Sequence, residues 1–420
     1  MKKESKYTIL FAVAAFCLCL PMILFDNAPV SDVATRYAPM TEAFARGDWQ
    51  HAFHPRIPPL FSTISGIFAY LFCMSGTAAC ELVGALFFTL TVFPLMALMR
   101  KVYNQKYAMW TILMFICCSR LLRIAGMGLR DSAKCFFIVL AAYGLICFFR
   151  KYNWKGAIYC SLACVGLALT RGDSLLFALL FLAAIGAIEL FKQKRFPNKT
   201  ICAGLIFVVM VSPWAYYEYQ QTKWPVMELR QATILDNTFN TESINFSIPV
   251  ANINPQKNSP RAIKKAKRIK KVSSRTKEFW ENLFKGLCPQ YLLFIIPVLF
   301  YRIKKKILGP EELILLLAAL IHTVGMIGQI AIADKQLCIY KRYLIVATPL
   351  TFGWAAIGLR WLFDNVKRHL HRRFRWMPKA LLIFGIIFFI FNAWSRVRKD
   401  RINPFLYKLF EQNQGAKSKR

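Results

Sequence analysis

The stretch FDNAPVSDVATRYAPMTEAFARGDWQHAFHPRIPPLF runs from Phe25 to Phe61 and follows an apolar run at 7–25 that is long enough to cross a bilayer. It carries three Asp and one Glu, several aromatic rings and a closing Pro58-Pro59, which is not the composition of an ordinary connecting loop. From Asp32 onward, Val33, Tyr37, Met40 and Phe44 recur at i, i+4, i+7 and i+11, predicting a surface helix with one apolar stripe. Pro39 marks a kink or the start of its regular part. Gly47 supplies a stop, and Trp49 an interfacial anchor. The acids of the stretch then face water or a cavity. Asp32 has two readings, a helix N-cap or a functional acid at the mouth of a membrane segment.

The rest of the chain sets this stretch in lipid. Of 420 residues, 56% are hydrophobic and 36 are Phe, and mean hydropathy is +0.39. A soluble domain cannot hide that much apolar surface. The apolar runs lack the alternation of a barrel, so the expected fold is all-α and polytopic. The net charge of +35 is read as cytoplasmic Lys and Arg, with a contribution to binding anionic lipid; nucleic acid is not an expected partner. Many of the 13 Cys, including Cys17, Cys19, Cys117, Cys118, Cys160 and Cys164, lie inside apolar runs and read as small embedded residues, without zinc-type spacing. The first apolar run is long, lacks a small-residue cleavage site and precedes further spans, so it is read as an uncleaved helix.

Apolar runs of helical length fall at 7–25, 59–75, 77–98, 107–119, 132–149, 156–170, 174–191, 200–217, 287–301, 311–332, 343–362 and 379–394. If every run crosses, Arg100/Lys101/Lys106, Arg150/Lys151/Lys155 and the later basic clusters fall outside, against the positive-inside rule. If 59–75 instead lies along the outer face, Lys2/Lys3/Lys6, Arg100/Lys101/Lys106, Arg150/Lys151/Lys155, Lys192/Lys194/Arg195/Lys199, Arg302/Lys304/Lys305/Lys306 and 367–379 all fall inside. The expectation is therefore about 11 transmembrane helices plus juxtamembrane helices on the outer face. The chain divides into a transmembrane module at 1–217 with a first outer loop at 26–76, an outer loop at 218–286, C-terminal helices at 287–394 and a basic tail at 395–420. Arg120, Arg123, Arg130 and that tail conflict with this map.

The outer face collects 26–76, 120–131, 171–173, 218–286 and 333–342. Asp131 and Asp173 each stand where the chain re-enters lipid. Each reads as a cap or as an ionisable group with a function. Arg36, Arg56, Arg130, Arg171, Lys341 and Arg342 accompany them, read either as snorkelling cations or as phosphate ligands. The run RAIKKAKRIKKVSSRTK at 261–277 contains nine Lys or Arg and no acid. It reads as an interfacial helix, or as a collector of anionic lipid substrate.

Several motifs occur in a telling order: Asp32 followed by Gly47-Asp48-Trp49, Pro58-Pro59-Leu60 at the head of a juxtamembrane helix, Arg130-Asp131, Thr170-Arg171-Gly172-Asp173, Pro213-Trp214, and Arg342-Tyr343 with Pro349. In this order the chain resembles the C-type integral-membrane glycosyltransferases, particularly family 39 and its relatives, among them protein O-mannosyltransferases and the lipid A aminoarabinose transferase. The resemblance is strongest over 1–217 and returns around 340–360. Val33 stands where many members carry Glu after the first Asp, and Ile57 where many carry Lys before Pro-Pro.

The resemblance implies transfer of a sugar, with inversion, from a polyprenyl-phosphate-linked donor to a lipid, glycan or protein acceptor at the outer face. A bacterial inner membrane with a periplasmic site is the expected location. Asp32 is then the catalytic base and Asp131 a second acid shaping the site. Arg36, Arg56, Arg130, Arg171, Asp173, Arg342 and Tyr343 are the candidate substrate-binding residues. No cofactor or metal ligand is assigned, and a divalent metal is left open. A transporter or flippase of lipid-linked sugars, or a polysaccharide polymerase or ligase, is the competing class. Inverted repeats or a single large catalytic loop would mark those, and neither is found.

Overall fold

The protein is described by a computed structural model covering residues 3–24, 32–55, 57–194, 196–222, 289–334 and 341–369, with position 281 and short pieces between 380 and 388. Arg56, the 261–277 run and the basic tail lie outside the described residues, as does most of the 379–394 span. Regular structure among the described residues is helical, apart from one isolated bridge between His54 and Ile57.

Among the described residues, five helices are long and apolar enough to cross a membrane: Lys6–Leu24, Gly76–Val102, Asp131–Lys151, Gly172–Lys192 and Asn198–Gln221. A sixth is reached if Gln105–Ile116 and Ser119–Gly126, bent by 56° at the break, form one span. The expected count of 11 is therefore not reached among the described residues. The expected outer segment at 120–131 contains regular structure. Most of it is the helix Ser119–Gly126, whose Leu121, Leu122, Ile124 and Ala125 are buried while its arginines lie on the other side. The apolar residues between its arginines have helical spacing.

Leu60–Phe72 has 13 residues, about 20 Å of helix, which is short of a bilayer's roughly 30 Å hydrocarbon core. It buries Phe61, Ser62, Ser65, Gly66 and Ala69 and leaves Ile67, Tyr70, Leu71 and Phe72 exposed. Its buried face packs on Ala38–Ala45 and Gly76–Val102. The first outer helix begins as a π-helical turn, Val33–Tyr37, and becomes regular at Ala38–Ala45, where Pro39 occupies the first turn. Val33, Tyr37 and Met40 are buried, and Phe44 packs edge-on against Trp49. Gly47 ends the helix at φ +75°, a conformation in which a Cβ is strained.

At the centre of the bundle, Asp131–Lys151 packs on Trp154–Thr170 and on Gly76–Val102. The first two form a tight hairpin. Tyr152 closes one in the left-handed conformation, and the Asn153 side chain caps the next by accepting from Gly156 N at 2.9 Å. A Cβ on Gly144 would lie 2.5 Å from Cys160 N, and one on Gly156 2.5 Å from Phe148 N. Small residues thus let these two backbones approach closely, as membrane helices require in the absence of a hydrophobic drive to associate.

The ends of Asp131–Lys151 differ chemically. At its Lys151 end, Arg150 pairs with Glu311 at 2.9 Å, Arg302 pairs with Glu312 at 2.7 Å, and the Tyr152 hydroxyl donates to Glu189 at 2.8 Å. The basic clusters around 150–155, 192–199 and 302–312 therefore share one end of the bundle. About 30 Å away, 21 residues along the helix, stands Asp131.

Candidate functional site

Asp32 precedes the π-helical turn, but its side chain makes no capping hydrogen bond. Its Oδ2 instead accepts from Nη2 of Arg342, 310 positions along the chain. Both side chains are partly open, at 22% and 24%. Burial pushes the Asp32 carboxyl up, but the hydrogen bond and charge of Arg342, with the charges of Arg36 and Arg130, outweigh it and hold it below the usual carboxylate range. Arg36 itself is exposed.

Asp131 and Asp173 are joined through Arg171. Nη1 of Arg171 donates to Asp131 Oδ1 at 2.7 Å, while its Nε and Nη2 fork onto the two oxygens of Asp173, each at 2.9 Å. Neither acid is used as a simple cap: Arg130 and Ser174 hold the N-cap positions of the helices that follow. Asp173 also accepts from Lys134 Nζ at 3.3 Å and from the Ser174 hydroxyl at 3.3 Å. Lys134 is completely buried, one turn beyond Asp131, and its ammonium lies over the Phe177 ring.

Tyr343 links this buried network to the open pair. The Arg171 guanidinium lies 4.4 Å from its ring centroid and that of Arg342 5.1 Å away, and the Tyr343 hydroxyl accepts from Arg342 Nη2 at 3.2 Å. Arg130, also buried, lies 5.3 Å from the Tyr37 ring centroid and donates to the Thr170 carbonyl at 3.5 Å. Of the residues singled out from sequence, Asp32, Arg130, Asp131, Arg171, Asp173, Arg342 and Tyr343 thus come together, with Arg36 at the edge. They come from four stretches of chain far apart in sequence.

Lys134 and Tyr37 belong to the same cluster and were not picked out as site residues. A Lys inside an apolar run was the available signal for the first. Among the described residues, no group of three His, Cys, Asp or Glu side chains converges as metal ligands.

Beyond Phe177 lies an apolar cavity of about 290 Å³. Ile138, Leu145 and Phe149 line one wall along about 16 Å of helix; Phe181 and Leu317 line others. His322 stands at its site end, 2% exposed and 4.7 Å from Phe177 between ring centroids, with neither ring nitrogen hydrogen-bonded. A chain-like apolar ligand fits this space better than water does.

No known protein-family profile and no curated protein sequence matches the chain. Solved structures do. ArnT from Cupriavidus metallidurans in the apo state superposes with a TM-score of 0.59 at 14% identity, over 93% of this chain and 71% of that one. The same protein bound to undecaprenyl phosphate gives 0.55 at 13% identity, with the same coverage. The archaeal oligosaccharyltransferase AglB from Archaeoglobus fulgidus, in complex with an inhibitory peptide and a dolichol-phosphate, gives 0.52 at 11% identity, over 96% of this chain and 57% of that one. The order of helices, the short surface helices before Gly76 and these superpositions agree: the chain has the fold of the C-type integral-membrane glycosyltransferases.

Proposed function

We propose that the protein transfers a sugar, with inversion, from a polyprenyl-phosphate-linked donor to an acceptor at the outer face of its membrane. One observation carries this reading. Among the described residues, Arg130, Lys134, Arg171 and Arg342 gather at one end of the bundle with Asp32, Asp131 and Asp173. Arg36 adds a further cation at the exposed edge. Guanidinium groups match phosphate oxygens, and Arg342 and Arg36 are open enough to meet a ligand, so the cluster is suited to a bound anion. A lipid phosphate supplies that anion, and the apolar cavity beyond Phe177 suits the lipid's chain. ArnT with undecaprenyl phosphate and AglB with dolichol-phosphate are related in fold and carry such lipids.

In this reading the acceptor hydroxyl or amine attacks the anomeric carbon as its proton passes to an Asp32 oxygen. The bond from the anomeric carbon to the phosphate oxygen breaks, and the electron pair leaves on the polyprenyl phosphate. Arg342, with Arg130 and Arg36 nearby, stabilises the charge that develops there. Asp131 and Asp173 hold Arg171, which fixes the ring of Tyr343 and through it the setting of Arg342. The catalytic module is 1–217 completed by the Arg342-Tyr343 segment. The basic end of the bundle lies in the cytoplasm, so the site opens to the periplasm of a bacterial inner membrane.

Mass analysis of cell-envelope lipids and glycans, with and without the gene, tests the reading. Loss of one sugar substituent together with accumulation of a polyprenyl-phospho-sugar is expected. An unchanged envelope under conditions of expression counts against it.

A further inference from the structure

Asp32 and Arg342 have opposite tasks in the reaction above, yet they are bonded to each other. A carboxylate whose oxygen already accepts from a guanidinium is a weak acceptor for another proton. We infer that Arg342 is a shared partner, taken from Asp32 by the lipid phosphate, so that the donor must bind first and by binding releases the base. This rests on the proposed function and adds an order of events to it.

Three features favour an exchange over a fixed ion pair. Each side chain is about a quarter open, so a ligand can reach both. A phosphate offers oxygens that match the guanidinium fork, and can therefore displace a single carboxylate contact. Arg342 also keeps a pivot while it moves: its Nη2 bonds the Tyr343 hydroxyl, and its plane lies against a ring that Arg171 holds from Asp131 and Asp173. Once Arg342 turns to phosphate, the Asp32 oxygen that it occupied is open to the acceptor's O–H or N–H.

Binding of radiolabelled undecaprenyl phosphate to the purified protein in nanodiscs tests the exchange. Asp32→Asn removes the competitor for Arg342, and should bind this lipid about 3- to 10-fold more tightly than the parent even as transfer is lost. Arg342→Ala should bind it about tenfold more weakly. The double variant should match Arg342→Ala, since the arginine that Asp32 bonds is already gone. Asp32→Ser serves the same purpose if Asn perturbs folding. Unchanged or weaker binding in a folded Asp32 variant that has lost transfer overturns the exchange and leaves Asp32 as base. Parental transfer in that variant overturns the exchange and the assignment of the base together.

Discussion

The buried pair of Lys134 and Asp173 allows a prediction whose size follows from the structure. Lys134 has no exposed side-chain surface and Asp173 only 18%, so solvent screens their interaction little. Asp173→Ala removes an acceptor from Lys134 and both arms of the Arg171 fork. Breaking a buried pair from one side costs about 3–5 kcal/mol. Replacing Lys134 by Met as well removes the buried ammonium while keeping a flexible apolar chain of similar length. Arg171 then still has Asp131. The double variant should therefore be more stable than Asp173→Ala alone, with a coupling of about 1–3 kcal/mol. The four proteins of the cycle are compared by equilibrium unfolding in mixed micelles, followed by intrinsic fluorescence from the 10 Trp. Additive losses, with the double variant the least stable, would refute the view that Lys134 is held as a charge by Asp173.

Further outcomes concern the chemistry and the topology. Asp32→Asn keeps the shape of the side chain and sits at a position whose side chain caps nothing; transfer should fall by roughly 10²–10⁴-fold, with the loss in kcat, if Asp32 is the base. Arg342→Lys keeps the charge but loses the fork, so its KM for donor should lie between those of the parent and Arg342→Ala; equal values for all three would make Arg342 only an interfacial anchor. In a background cleared of reactive Cys, Cys introduced at Asn104, Asn153 or Gly309 should resist a membrane-impermeant thiol reagent in intact cells, while Cys at Gln50 should react. Labelling at Asn104 with protection at Gln50 would mean that 59–75 crosses the membrane.

The sequence carried the fold further than it carried the site's wiring. Hydropathy and the positive-inside pattern mark the apolar helices and the short Leu60–Phe72, because length and charge act locally. They do not mark the short helix Ser119–Gly126, where Arg120 and Arg123 interrupt the buried Leu121, Leu122, Ile124 and Ala125. The identities of Asp32, Asp131, Asp173, Arg171 and Arg342 were legible as charges at span ends. Their pairing was not: Asp131 and Arg171 are 40 positions apart, and Asp32 and Arg342 are 310 apart. No periodicity encodes such contacts, since helix packing sets them. Lys134 was hidden for a related reason. An apolar run tolerates one cation by snorkelling as readily as by burial, and only the neighbouring Asp173 decides between the two.

The most direct measurement is sugar transfer by the purified protein in nanodiscs, supplied with a panel of polyprenyl-phospho-sugars carrying a radiolabelled sugar and with an extract of envelope lipids, glycans and proteins. The account predicts label moving to one acceptor class, stoichiometric release of polyprenyl phosphate, an inverted anomeric linkage in the product, and loss of all three in Asp32→Asn. Retention of label on the donor across the panel, with a folded protein that carries the intact lipid-linked sugar across the bilayer, would contradict it.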